Sequence, residues 1–408
     1  RRTRAGEPDT LLANRYFTRE FYGGVRRALR PGGIFAQQAP FKESGTDGWH
    51  ADLLGTQLRT LRPALGRPVL VCGRQDAMLI ARKGAPLDYD PAAAIRNYTE
   101  RGIKAAYFGP DILLETLDRS RTGQLLQQPM LTGTDLGAYM SSADKIGFVF
   151  DRLEKCPGAR VNRDFEPVSI YYQTGIQSGY QRSVLTNILK KAAGGRPVAV
   201  VWLAAFAVFS VLVCAAAAKS RDGAALARSP LAAAAGFTGL AIEMIVLFVI
   251  QIMNGNIYYF VGIVIAANMF GGALGGEIAR AIRRRRPGVE NASLIVCSLL
   301  LAVLCVPVAG VARGDAGASA SALLLLVAAA GAFVGMIYSM SAADGHGARA
   351  GTLYAADHLG AAAGAMLCGV ALVPLTGVAG AAYVCIGTLC IGMAAFALFE
   401  ILAGKKKT

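Results

Sequence analysis

Two carboxylates stand inside stretches that are otherwise apolar. Glu243 follows Phe237-Thr238-Gly239-Leu240-Ala241-Ile242, with Gln251 further along the same stretch, and Asp357 is followed by His358 in Tyr354-Ala355-Ala356-Asp357-His358-Leu359. A charge at the centre of a membrane helix costs on the order of 2.5–3.5 kcal/mol, so such residues persist where they bind an ion, relay a proton or join helices. Two chemistries are open. Either Glu243 and Asp357, with His358 alongside, line a path or pocket for a cation, or they are protonated or hydrogen-bonded helix contacts. Glu277 and Glu400 lie near the ends of apolar stretches, where a long side chain reaches the interface. The eight cysteines show no Cys-x-x-Cys spacing, and no Ser/His/Asp or His/Cys constellation emerges, so neither a metal site nor a disulfide framework is expected.

The elements that hold these residues follow from length and hydropathy. The chain has 408 residues, 54% of them hydrophobic, and a net charge of +15. Residues 1–195 have the mixed composition of a soluble domain; residues 196–408 are mostly Ala, Leu, Val, Ile and Gly. A bilayer core of about 30 Å needs roughly 20 apolar residues in a helix. Seven stretches qualify: Pro197–Ala218, Leu231–Met253, Ile257–Ala281, Ala292–Val311, Ser319–Met340, Thr352–Leu375 and Val378–Leu402. An all-α bundle of seven transmembrane helices is therefore expected, in contact with lipid. Gly271-Gly272-Ala273-Leu274-Gly275-Gly276 and the pair Gly360/Gly364 carry the small-xxx-small spacing that lets helix backbones meet, within the bundle or between two copies.

The basic excess belongs to loops rather than to a nucleic-acid reader, and no nucleic-acid partner is expected. Lys219, Arg221, Arg228, Arg280, Arg283, Arg284, Arg285, Arg286, Arg349 and Lys405-Lys406-Lys407 fall on one side, which the charge rule makes cytoplasmic. Seven crossings then put residues 1–195 on the other side, whereas Arg182, Lys190, Lys191 and Arg196 favour the cytoplasm. Both placements stay open. Arg1–Thr10 has neither an initiating Met nor an apolar run, so the chain is expected to continue upstream.

In the soluble half, Thr18 is a suitable N-cap for a helix over Arg19–Leu29, stopped by Arg30-Pro31-Gly32-Gly33. Ile34–Gln38 has the composition of a short buried strand. A helix over Asp47–Leu61, strands at Val69–Cys72 and Met78–Ala81, and helices at Pro91–Arg101, Asp111–Arg119 and Asp135–Glu154 complete an α/β pattern. His50, beside Trp49, is expected at the surface.

Leu12-Ala13-Asn14-Arg15-Tyr16-Phe17-Thr18-Arg19-Glu20-Phe21-Tyr22, then Leu29-Arg30-Pro31-Gly32-Gly33-Ile34-Phe35-Ala36-Gln37-Gln38, resembles the spermidine synthase (polyamine aminopropyltransferase) family. Arg101-Gly102-Ile103 with Tyr107-Phe108-Gly109-Pro110 resembles that family's aromatic pair. Asn162-Arg163-Asp164-Phe165-Glu166-Pro167-Val168, together with the segments around Glu243 and Asp357, resembles its multi-pass bacterial members. The resemblance implies the C-terminal half of a Rossmann-like, methyltransferase-type α/β domain at 1–195, fused to the transmembrane domain at 196–408, in a bacterial inner (plasma) membrane. It implies aminopropyl transfer to putrescine or a similar diamine, with decarboxylated S-adenosylmethionine as co-substrate and no tightly bound cofactor. It places Gln38 and Tyr107 near the polyamine, and the catalytic base before Arg1, on a missing N-terminal half or a partner chain. Tyr16 and Tyr22 are expected to pack. With no strand, Gly-rich turn and helix unit in residues 1–195, two other functions stand beside transfer. One is a polyamine or small-cation transporter with an α/β regulatory domain; the other is an inactive membrane scaffold.

Overall fold

The computed structural model describes residues 10–39, 48–72, 77–87, 91–103, 153–156, 158–179, 196–220, 223–254, 258–313, 319–342 and 347–405, with Pro8 and Gly109. The helices expected at Asp111–Arg119 and over most of Asp135–Glu154 lie outside them. The chain divides into two compact units, Arg1–Ala193 and Gly194–Thr408, within two residues of the composition boundary.

Unit one is a small sheet with helices. Helix α1 (Arg19–Ala28) starts where expected, with the Thr18 hydroxyl accepting from the Phe21 amide at 3.4 Å. Gly32 turns the chain at φ 75°, a conformation open to glycine, into strand β1 (Ile34–Ala39). Helix α2 (Gly48–Leu65), β2 (Val69–Cys72), β3 (Ala77–Arg82) and α3 (Pro91–Glu100) follow, and α4 (Val168–Gly179) closes the described part. The sheet has the order β1-β3-β2, with β3 antiparallel to both neighbours. Strands β1 and β2 are therefore parallel to each other and joined by α2, as a helical crossover requires. A larger Rossmann-like sheet is not present among the described residues. Strand β1 lies at the sheet edge with Ile34 57% exposed, so its expected burial holds only for its inner face.

Tyr22, Leu61, Leu65 and Ala81 form one core of this unit, with Phe21, Val25 and Phe35 against it. Trp49, Tyr171 and Tyr172 form a second where α2 meets α4. His50 is 8% exposed, which corrects its expected surface position. It shares the helical stripe of Leu53, Leu54, Gln57 and Leu61, and that stripe is the buried one.

Unit two is helical throughout its described residues. Its helices are α5 (Arg196–Ala217), α6 (Gly223–Asn254), α7 (Tyr258–Arg285), α8 (Glu290–Arg313), α9 (Ala320–Ser341) and α10 (Gly347–Leu367). A π-helical turn at Cys368–Leu372 then leads into α11 (Val373–Lys405). Among the described residues six helices are long and apolar enough to cross a membrane, the last running from Ala350 to Leu402. Their outward residues are apolar: Val200, Val211, Met269, Phe270, Leu325 and Leu359 are each at least 60% exposed, as lipid-facing side chains are. The protein is a multi-pass membrane protein.

The expected sixth and seventh spans lie within that last helix, on either side of Gly377. There φ 74° and ψ 170° break the helix in a region almost confined to glycine. The chain reverses across this break. Gly360 and Gly364 meet Ala233 and Phe237 in rising order, so α10 runs with α6. Gly392 meets Leu231 and Ala234 while Phe399 lies near Gly223, so α11 runs against it. The final 53-residue run is thus a hairpin of two limbs.

Arg228, expected in a loop, instead lies inside α6 at 7% exposure. Its guanidinium donates to the Ser341 carbonyl at 3.2 Å and to Asn291 Oδ1 at 3.1 Å, tying together ends of α6, α8 and α9. These bonds explain why α6 begins two turns before the apolar stretch does.

Candidate functional site

Glu243 is 7% exposed on α6, and its Oε2 accepts from Asn268 Nδ2 of α7 at 2.5 Å. Asp357 sits on α10 with its side chain 16% exposed. Its Oδ2 is 3.5 Å from His358 Nδ1, and its Oδ1 is buried without a hydrogen-bond partner. The backbone oxygen and Oδ1 of Asp357 lie against Gly236, where a side chain would collide with them. Glu243 is seven residues after Gly236, so the two share a stripe of α6. At about 1.5 Å of rise per residue, their levels are about 10 Å apart along the axis. The two acids predicted from sequence therefore lie along one line of α6, and a third polar group, Asn268, is bonded to Glu243. Sequence reasoning passed over Asn268, although an amide in the apolar run Ile265-Ala266-Ala267-Asn268-Met269-Phe270 is itself a signal.

His358 is not enclosed with them. Its side chain is 56% exposed; its Nδ1 is 3.1 Å from the Tyr354 carbonyl, and the rings of the two residues stack at 3.8 Å. The small residues do as expected within the bundle. Gly271 and Gly275 of α7 rest on the Ala328 and Ala332 carbonyls of α9, and Gly360 and Gly364 on α6. Glu277 pairs with Arg280 at 2.9 Å on an exposed face.

In unit one Gln37 is among the buried amides. Its Oε1 accepts from the Tyr22 hydroxyl at 2.7 Å, and its Nε2 donates to the Tyr16 carbonyl at 2.8 Å. Burial pushes the Tyr22 hydroxyl up from its ordinary range, so it remains a donor at neutral pH. Tyr22 packs in the core, as expected. Gln38, the residue expected near a polyamine, is half-buried on the opposite face, its carbonyl accepting from Gln57 Nε2 at 3.4 Å. Tyr107 lies outside the described residues. Asn162 knots the segment before α4 to the start of the domain, donating to Asn14 Oδ1 at 2.9 Å and to the Phe17 carbonyl at 3.0 Å.

A cleft of about 450 Å³ in unit one is lined by Arg26, Arg62, Arg67, Arg82 and Lys83. Arg62 is engaged by Glu154 at 2.7 Å, and Lys83 donates to the Leu29 carbonyl at 2.6 Å. Its sign is wrong for a polyamine, which carries positive charge itself. Among the described residues no group of three or more side chains is arranged to hold a metal ion. No family model, curated protein or solved structure matches the chain.

Proposed function

We propose that unit two is a carrier for small organic cations of the polyamine class, in a bacterial inner membrane, with unit one as its α/β accessory domain. The observation that carries this reading is a pair of acids along one stripe of α6, Glu243 on that helix held by Asn268, and Asp357 of α10 packed against Gly236 with a bare oxygen. An ammonium group offers such carboxylates a charge-assisted hydrogen bond, worth roughly twice a neutral one. The bundle around them is apolar, so the attraction is weakly screened. The test is uptake of labelled putrescine by proteoliposomes of the full chain. Wild type takes it up, and E243Q and D357N each lose about tenfold or more, the worth of one charge-assisted contact. Undiminished uptake in both variants contradicts the reading.

A second reading, aminopropyl transfer from decarboxylated S-adenosylmethionine to a diamine, is favoured by one observation. The crossover β1-α2-β2, entered from a Thr18-capped helix and the Gly32 turn, is the kind of unit from which Rossmann-like sheets are built. Gln38 and Tyr107 are then the residues to examine, with the base supplied from before Arg1. Diamine-dependent release of methylthioadenosine by the native protein distinguishes transfer from transport.

A further inference from the structure

Part of the bundle is built twice. Laid on α9, α6 matches Ala233-Ala234-Ala235-Gly236 with Ala328-Ala329-Ala330-Gly331, Leu231 with Leu326 and Ile242 with Ile337. Laid on α10, α7 matches Ala266-Ala267-Asn268 with Ala355-Ala356-Asp357, Gly271 with Gly360 and Gly275 with Gly364. The packing repeats with the sequence. A Cβ on Gly331 would meet the backbone oxygen and Oδ1 of Asn268, and one on Gly236 would meet the same two atoms of Asp357. Gly271 and Gly275 rest on the Ala328 and Ala332 carbonyls. Gly360 and Gly364 rest on those of Ala233 and Phe237, the aligned positions.

Residue numbers rise together in both pairings, so α7 runs with α9 and α6 with α10. Successive spans alternate in direction, and α8 lies between the two copies. The second copy therefore crosses the membrane in the opposite sense to the first. Inverted repeats of this kind are the architecture of many secondary carriers, whose sites lie near mid-membrane where the repeats meet.

The polar residues obey the same relation. Asn268 aligns with Asp357 and Glu243 with Tyr338. Glu243 bonds Asn268 within the first copy, and in the second Tyr338 packs edge-on against Tyr354, three residues before Asp357 on α10. We infer that Glu243–Asn268 and Tyr338–Asp357 are one half-site present twice, each with a single carboxylate. Together they bind a linear cation with an ammonium group at each end. Gly236, against which Asp357 lies, and Glu243 are about 10 Å apart along α6, a span on the scale of a short diammonium chain with a charge-assisted bond at either end. The inference rests on the carrier reading and names its ligand geometry.

The test is labelling of the full chain in liposomes with dicyclohexylcarbodiimide, which modifies enclosed carboxyl groups, read by peptide mass at Glu243 and Asp357 with putrescine as probe. One shared cation protects both residues with the same concentration dependence. D357N weakens protection of Glu243 about tenfold, one charge-assisted contact being lost. Returning the acid within the half-site, as D357N/Y338E, restores protection to within about threefold, less than 1 kcal/mol. Protection of one residue alone, or of Glu243 undiminished in D357N, overturns the bipartite site. Putrescine uptake alongside that result would leave the carrier reading standing, and absence of uptake alongside joint protection would remove the carrier reading alone.

Discussion

Gln37 and Gln38 are neighbours on opposite faces of β1, and the difference decides what each can do. Strand alternation puts Gln37 on the face of Phe35, and Phe35 was the legible clue that Gln37 is the inward amide. His50 was legible in the same way from Leu53, Leu54 and Gln57, a helical spacing that marks the face bearing it as core. Composition alone pointed His50 outward; periodicity was the better guide there. Removing the Gln37 acceptor orphans a buried hydroxyl, a loss of about 1–3 kcal/mol. Q37L should therefore lower hydrogen-exchange protection of the β1 amides sharply, while Y22F/Q37L loses less than the two single changes added together. Equal or additive losses would show that the Tyr22 bond carries no coupling.

Helix positions were readable because the apolar runs are long and their ends are marked: Thr18 caps α1, Ser319 caps α9, and, with α10 followed through its π-helical turn to Gly377, the expected spans fall within five residues of the observed helices except at the start of α6. That exception has its cause in Arg228, whose partners Asn291 and Ser341 are distant in sequence and could not be read from it. The hairpin at Gly377 was visible only as a gap between two apolar stretches; its reversal depends on one residue at φ 74°. Gly377→Ala should cost about 1–3 kcal/mol through that conformation alone, seen as a lowered melting temperature in detergent. Gly275→Val or Gly364→Val should each cost about 1–3 kcal/mol by forcing α7 from α9 or α6 from α10. Gly276→Val, with nothing nearby, should leave the melt unchanged. Equal effects at Gly275 and Gly276 would refute the assigned contact face.

At the scale of the molecule, composition located the boundary between units and the membrane bundle. It did not reveal that two helix pairs repeat, because the matched identities are mostly Ala and Gly, which are common throughout the bundle. The repeat became legible once the same carbonyls were seen under the same glycines. Alternating spans place Lys219 and Arg286 on one membrane face and Asn254 on the other, so K219C and R286C should react with an impermeant thiol reagent from one side and N254C only from the opposite side. Reaction of all three from one face would remove the inverted arrangement of the two helix pairs.

The measurement that tests the central claim most directly is counterflow: proteoliposomes of the full chain loaded with unlabelled putrescine and diluted into a trace of labelled putrescine. A carrier with one site reached alternately from each face exchanges the two, so labelled putrescine should accumulate transiently above its equilibrium level, and E243Q should abolish the overshoot. Simple equilibration without overshoot, or an overshoot untouched by E243Q, would contradict a carrier that works through Glu243 of α6 and Asp357 of α10.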